Sequence, residues 1–272
     1  MRRPALIGIY REQVFSPGKV QADADILDAA LSRLSGMGFK VESNRAEFLD
    51  HAMPTPEIVL TMAQSDRVLN ILEQWNGEGS RIINTASSIR NCYRKSLMRM
   101  LSESDVPVAA GHMIELGNVD DLGNLSNPFW LKRGDVHAVQ EGDVAAVSSP
   151  QCLSKALNHF RKIGVRDLLV QEHLEGPVVK FYGVDRNIFF RAYLESSGEE
   201  ITSQMDSLRI IAARAAAVIG VAVYGGDAVL TDSGPVLIDF NDWPSFSKCF
   251  EAAGLAIADY VMTFTESPSA FE

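Results

Sequence analysis

Cysteine is scarce: Cys92, Cys152 and Cys249 are odd in number, widely spaced and without a CxxC pair, which excludes a disulfide framework and a zinc knuckle. They read as free thiols. No uninterrupted apolar stretch approaches the ~18 residues that a membrane span needs. The apolar run in MRRPALIGIYRE soon meets Arg11 and Glu12, so it predicts a first buried strand rather than a signal peptide. Positive charge is also short. Lys and Arg number 25 against 35 Asp and Glu, a formal charge of -10, and a general nucleic-acid or anionic-membrane binder wants the opposite balance. Internal repeats and low-complexity tracts are missing too. What remains, 46% hydrophobic and 22% charged residues, is the composition of an ordinary soluble protein of one to three domains. The expected compartment is the cytoplasm, with no nucleic-acid or membrane partner; an oligomer is compatible with this composition.

Order along the chain is informative. Residues 1–90 alternate strand and helix: PALIGIY, then ADADILDAALSRLSGMG with Leu27, Ala30, Leu31 and Leu34 at helical spacing, EIVLTMA, SDRVLNILEQW and RIINT. Such alternation predicts a small parallel α/β domain. Over 91–174, a helix in NCYRKSLMRMLSES precedes the strands VAAGHMIEL, PFWLKR and DVAAVSS, a helix in SPQCLSKALNHFRKIG, and the strand DLLVQEHL. Over 175–272 come a hairpin of PVVKFYGV with NIFFRAYL, a helix closed by Gly220, a second hairpin and a terminal helix. The later two-thirds therefore predict α+β lobes with a crevice between them.

The stretch VLIDFNDWPSF, 236–246, carries the first candidate site. Strand alternation puts Val236, Ile238 and Phe240 on one face, expected to anchor the strand under the terminal helix, and Leu237, Asp239 and Asn241 on the other. A three-residue turn of Asp232, Ser233 and Gly234 sets Thr231 opposite Pro235 and hence Asp227 opposite Asp239. Like charges so paired destabilise a sheet. Three hard oxygen donors suit Mg²⁺, although a solvated acidic face gives the same pattern. The same arithmetic on PVVKFYGVDRNIFFRAYL, with Asp185 and Arg186 at the tip, sets Lys180 opposite Arg191. Either an anion lies between these cations or both snorkel on a wet face.

Together these stretches resemble the ATP-grasp superfamily, in particular its RimK-like ligases and the inositol tris/tetrakisphosphate kinases. INTASSIRNCYRKSLMRMLSESDVPVAAG is similar to the segment with a nucleotide-contacting lysine, matched by Lys95; PFWLKRGD resembles the strand whose lysine contacts phosphate, matched by Lys132. LLVQEHLEGPVVKFYGV resembles the adenine hinge and the strand after it. This implies main-chain contacts from Gln171, Glu172, His173 and Leu174, ribose contacts from Glu172 or Glu175, and a phosphate contact from Lys180. YGGDAVLTDSGPVLIDFNDWPSF is similar to the magnesium-binding core, with Asp227, Asp239 and Asn241 as ligands. The likeness covers roughly residues 80–265 and implies ATP bound between two antiparallel-sheet lobes, with Mg²⁺ or, in its place, Mn²⁺.

Three departures mark the chain. RGDVHAVQEGDV has only Gly134 and Gly142 where many relatives carry a glycine-rich lid; Asp239 stands where ligases commonly have Glu and the inositol phosphate kinases have Asp; NDWPSF replaces the usual Pro-Gly, which bears on an acceptor pocket near Ser245. The resemblance implies a ligase that activates a small-molecule or peptide carboxylate as an acyl phosphate for attack by an amine. Lys132, Lys180 and Arg191 would stabilise charge at the γ-phosphate. The alternative is a kinase acting on a polyol or inositol phosphate hydroxyl, and the third reading is a nucleotide-binding module without turnover. Arg11, His137, Arg191 and Ser245 are the candidate substrate contacts.

Overall fold

Successive residues of the first strands go to two different cores, and this sets the architecture of the N-terminal part. The structure is a computed structural model that describes residues 4–119, 122, 127–136 and 140–266. Strands β1 (Ala5–Tyr10), β2 (Lys40–Arg45), β3 (Ile58–Thr61) and β4 (Arg81–Ile83) form a parallel sheet in the order β2-β1-β3-β4. Leu6, Ile58, Leu60 and Ile83 pack with helix α1 (Val20–Gly36), whereas Ile9, Val59 and Ile82 pack with α2 (Asp66–Gly77). A sheet covered on both faces needs apolar residues on both, as at Ile58, Val59 and Leu60 of β3. At Gly8 a Cβ would lie 2.5 Å from Leu31 Cδ1, so glycine lets α1 lie close on the sheet.

Helices α3 (Ala86–Asn91) and α4 (Arg94–Ser102) lead into two antiparallel sheets. One contains β5 (Gly111–Glu115), β6 (Phe129–Arg133), β7 (Val144–Val147) and β8 (Asp167–Glu172), in the order β5-β8-β6-β7, and α5 (Pro150–Lys162) packs on it. The other has the order β10-β9-β11-β12, built from β9 (Val178–Val184), β10 (Phe189–Leu194), β11 (Val223–Thr231) and β12 (Gly234–Asp242). A short helix, α6 (Asp185–Ile188), joins β9 to β10, and α7 (Met205–Ile219) precedes β11. The two sheets meet where the Ala109 amide donates to the Leu237 carbonyl (2.8 Å) and the Leu237 amide to Pro107 (2.9 Å).

The last helix, α8 (Phe250–Glu266), does not cover β12 as the strand pattern suggested. Leu237 and Phe240 pack with Leu208, Ala212 and Ile219 of α7, while Ala253, Ile257 and Val261 of α8 join the α1 core. Gly254 permits this: a Cβ there would lie 2.7 Å from Ala29 Cβ. The chain thus returns to its first domain. Side chains tie that domain to the last sheet: Asn84 Oδ1 accepts from the amides of Ala222 (2.8 Å) and Val223 (3.1 Å), and its Nδ2 donates to the Val223 carbonyl (2.7 Å). No helix among the described residues is long and apolar enough to cross a membrane.

Candidate functional site

Asp227 of β11 stands directly opposite Asp239 of β12, and Gly225 opposite Asn241. The route to this register differs from the expected one. The turn has two residues, with Thr231 opposite Gly234 and Leu230 opposite Pro235, and a bulge between Ala228 and Asp227 then inserts Ile238 on the partner strand. Two turn residues and one bulged residue offset the strands by as much as a three-residue loop. The bulge also breaks strict alternation, so Leu237 and Phe240 are both buried in the α7 core.

Positive groups converge on the acid pair from three elements. Lys180 lies across from Asp227 on β9, with Nζ 2.6 Å from Oδ1. Arg94, the first residue of α4, has Nη2 3.5 Å from Asp239 Oδ2, while Nη1 donates to the Arg133 carbonyl (2.9 Å) and the Val136 carbonyl (3.5 Å). Lys132, from the other sheet, donates to the carbonyl of the bulged Ile238 at 2.9 Å. Burial pushes the Lys132 ammonium below the ordinary lysine range, against the pull of Asp239. Burial also raises the Asp227 carboxyl, with Asp239 adding to the effect and Lys180 opposing it. The Lys180 ammonium is held above its usual value by Asp227, although burial works the other way.

Asp227, Asp239, Asn241 and Lys180 line a cavity of about 370 Å³ that also reaches Arg11 and Asp23 of the N-terminal domain. Two opposed carboxylates with an amide at the next position of the same face make a hard oxygen donor set, and this fits a divalent cation that keeps places for phosphate oxygens or water. Among the described residues no group of three or more His, Cys, Asp or Glu is placed to hold a metal ion.

Other expected residues fall elsewhere. Lys95 is 71% exposed and points to Asp167, 4.0 Å away, whereas the Arg94 side chain is 2% exposed and reaches the acids. The helical period explains it: Arg94, Leu97, Met98 and Leu101 form the buried face of α4, and that spacing was the signal available in the sequence. Lys180 faces Tyr193, not Arg191, because the connection through α6 is two residues longer than the tip assumed. Arg191 faces Tyr182, pairs with Glu200 at 3.3 Å and does not line the cavity of the acid pair. Gln171, Glu172, His173, Leu174 and Glu175 lie together at the end of β8 but do not line this cavity. Glu172 accepts from the Ala110 amide (2.6 Å), and His173 Nδ1 from Trp130 Nε1 (3.1 Å). Ser245 lines the cavity. Arg11 does too, with its guanidinium committed to the carbonyls of Trp243 (2.6 Å) and Met62 (3.2 Å) and to Asp23 (3.6 Å). His137 lies outside the described residues. At the described ends of the β6–β7 connection, Arg133 Nη1 and Asp143 Oδ2 pair at 2.9 Å.

No protein-family model matches the sequence, and a search of curated proteins finds no match. Solved structures do match. The chain is similar to a RimK-domain ATP-grasp protein from Sphaerobacter thermophilus, with a TM-score of 0.74 and 18% identity over 94% of this chain and 99% of that one. It is also similar to D-alanine–D-alanine ligase from Bacillus anthracis complexed with ATP, with a TM-score of 0.74 and 11% identity over 97% and 96%. For the ATP-grasp ligase PsnB complexed with minimal precursor, Mg and ADP, the TM-score is 0.68, with 14% identity over 96% and 98%. The fold is that of the ATP-grasp superfamily, an α/β domain followed by two antiparallel-sheet lobes.

Proposed function

We propose that the chain is an ATP- and Mg²⁺-dependent ligase that joins a carboxylate to an amine through an acyl phosphate. The observation that carries this reading is the opposed Asp227–Asp239 pair, ringed by Lys180, Arg94 and Lys132. Similar structures were solved with ATP, or with Mg and ADP, and this supports the same cofactors here. Asp227, Asp239 and Asn241 would hold Mg²⁺, which when bound screens the phosphate charge. Adenine and ribose are assigned to the end of β8, to the main chain of Gln171–Leu174 and to Glu172 or Glu175.

The protein's own task is electrostatic. A substrate carboxylate oxygen attacks the γ-phosphorus and the bond to ADP breaks; the amine then attacks the acyl carbon, phosphate leaves with the bonding pair, and the amine loses a proton. Lys180, Arg94 and Lys132 supply positive charge where the phosphoryl group passes. No side-chain nucleophile is required. An acceptor that is itself a polyphosphate would need a dense basic wall, yet Arg11 is already committed to two carbonyls and Asp23. The cavity suits a small carboxylate or a peptide end better.

Incubation with Mg²⁺-ATP and a pool of amino acids, hydroxy acids and polyol phosphates tests the reading. Release of ADP and phosphate, with acyl hydroxamate on addition of hydroxylamine, is the expected result. A stable phosphoester product, or no nucleotide turnover in any mixture, would overturn it.

A further inference from the structure

Gln64 follows β3, lines the cavity and is 6% exposed. Its Nε2 donates to both oxygens of Asp242, at 3.1 and 3.0 Å, and its main chain is fixed as well, with the amide held by Glu12 Oε2 (3.0 Å) and the carbonyl accepting from Tyr93 OH (2.6 Å). The Asp242 carboxylate offers only acceptors, so the carboxamide must present its NH₂ to it and cannot flip. Its oxygen is thereby turned the other way. Gln64 Oε1 has no hydrogen-bond partner among the described residues, while Gln64 lines the same cavity as Asp227 and Asp239.

We propose that Gln64 Oε1 accepts a hydrogen bond from an N–H of the amine co-substrate and so selects an amine as the attacking group, with Asp242 as the residue that fixes its orientation. This rests on the ligase reading and names one of its subsites. An acceptor locked in one orientation discriminates between ligands, because a bound group that cannot donate leaves it unpaired. A hydroxyl can also donate, but it delivers one hydrogen, whereas an attacking amine keeps N–H groups to spare. Ser245, Ser247 and Tyr182 line the same cavity and offer surface to the rest of the amine.

The test compares two nucleophiles in ADP release. Both arms contain the hydroxy-acid pool as carboxylates; one adds hydroxylamine, small enough to reach an acyl phosphate without a recognition site, and the other adds the twenty common amino acids, β-alanine and putrescine. Gln64→Met, nearly isosteric, should lower the ratio of amine-dependent to hydroxylamine-dependent turnover at least tenfold, through a raised KM for the amine. Asp242→Asn, which permits the flipped carboxamide, should lower that ratio less. An unchanged ratio in soluble Gln64→Met overturns the assignment and leaves the ligase reading standing; if that variant is not soluble, an unchanged ratio in Asp242→Asn does the same. Wild-type protein that makes neither hydroxamate nor ADP overturns both.

Discussion

Arg94 and Lys95 are adjacent cations with opposite fates, and exchanging each for methionine separates them. In Arg94→Met the protein loses a charged hydrogen bond to the Arg133 carbonyl at 2.9 Å, a longer one to Val136 at 3.5 Å, and the ion pair with Asp239 at 3.5 Å. One charged hydrogen bond to a buried carbonyl is worth about 1.5–3 kcal/mol, and the two longer contacts add less each, so the loss is about 3 kcal/mol. For a chain near this size that lowers Tm by about 6–12 °C. The methionine stem keeps most of the apolar contact of α4, and Asp239 retains some solvent, which keeps the figure at the low end for a buried charge. Lys95→Met removes only a 4.0 Å contact from an exposed side chain and should stay within about 0.5 kcal/mol of wild type. Thermal unfolding followed by circular dichroism, with calorimetric titration of Mg²⁺-ATP, reads both effects. Affinity should fall at least tenfold in Arg94→Met and less than twofold in Lys95→Met. The reverse order would refute the placement of Arg94 at the phosphates.

Asp239→Asn should leave the chain folded and reduce Mg²⁺-dependent ATP binding about a hundredfold, measured by titration with and without the metal; intact binding would remove Asp239 from the metal site. Deleting Ile238 takes out the bulge but keeps Asp227 opposite Asp239, so nucleotide affinity should hold within about tenfold while the buried Lys132 loses its carbonyl and stability falls by about 1–3 kcal/mol in chemical unfolding. A folded deletion variant with no nucleotide binding would show that the offset is not what positions the acids. The thiols should separate by rate of alkylation. Cys92 is buried and Cys249 has its pKa pushed up to about 11 by burial, whereas Ser149 lowers that of Cys152. A thiol with that raised pKa reacts through its thiolate, so modification of Cys249 should quicken about tenfold per pH unit from pH 8 to 10, with Cys152 already labelled, as peptide mass spectrometry would show.

Periodicity disclosed most elements because each reports on the residues beside it. The α1 stripe of Leu27, Ala30, Leu31 and Leu34 is an example. β2, KVESNR, escapes that logic: it is a polar edge strand that pairs with β1, and it buries no complete face. The place of α8 was hidden for a different reason. Its partner, α1, lies more than two hundred residues away in the chain, and an apolar helix does not state which apolar surface it will meet.

Register obeys a stricter rule, since one residue more or less in a loop moves every side chain beyond it. At the β9–β10 connection the helical turn over Asp185–Ile188 added two residues, and Lys180 met Tyr193 in place of Arg191. At β11–β12 the turn was one residue shorter than expected, and the bulge at Ile238 restored the count before the strands reached Asp227 and Asp239. The acid pair was therefore legible through two local deviations that cancel. That cancellation has a chemical use: an unbroken ladder would tie up the carbonyl that the bulged residue leaves for Lys132, and this contact brings the cation of one sheet to the acids of the other. A straight strand could set the two carboxylates opposite each other. The bulged one also supplies the point at which the opposite lobe attaches its lysine.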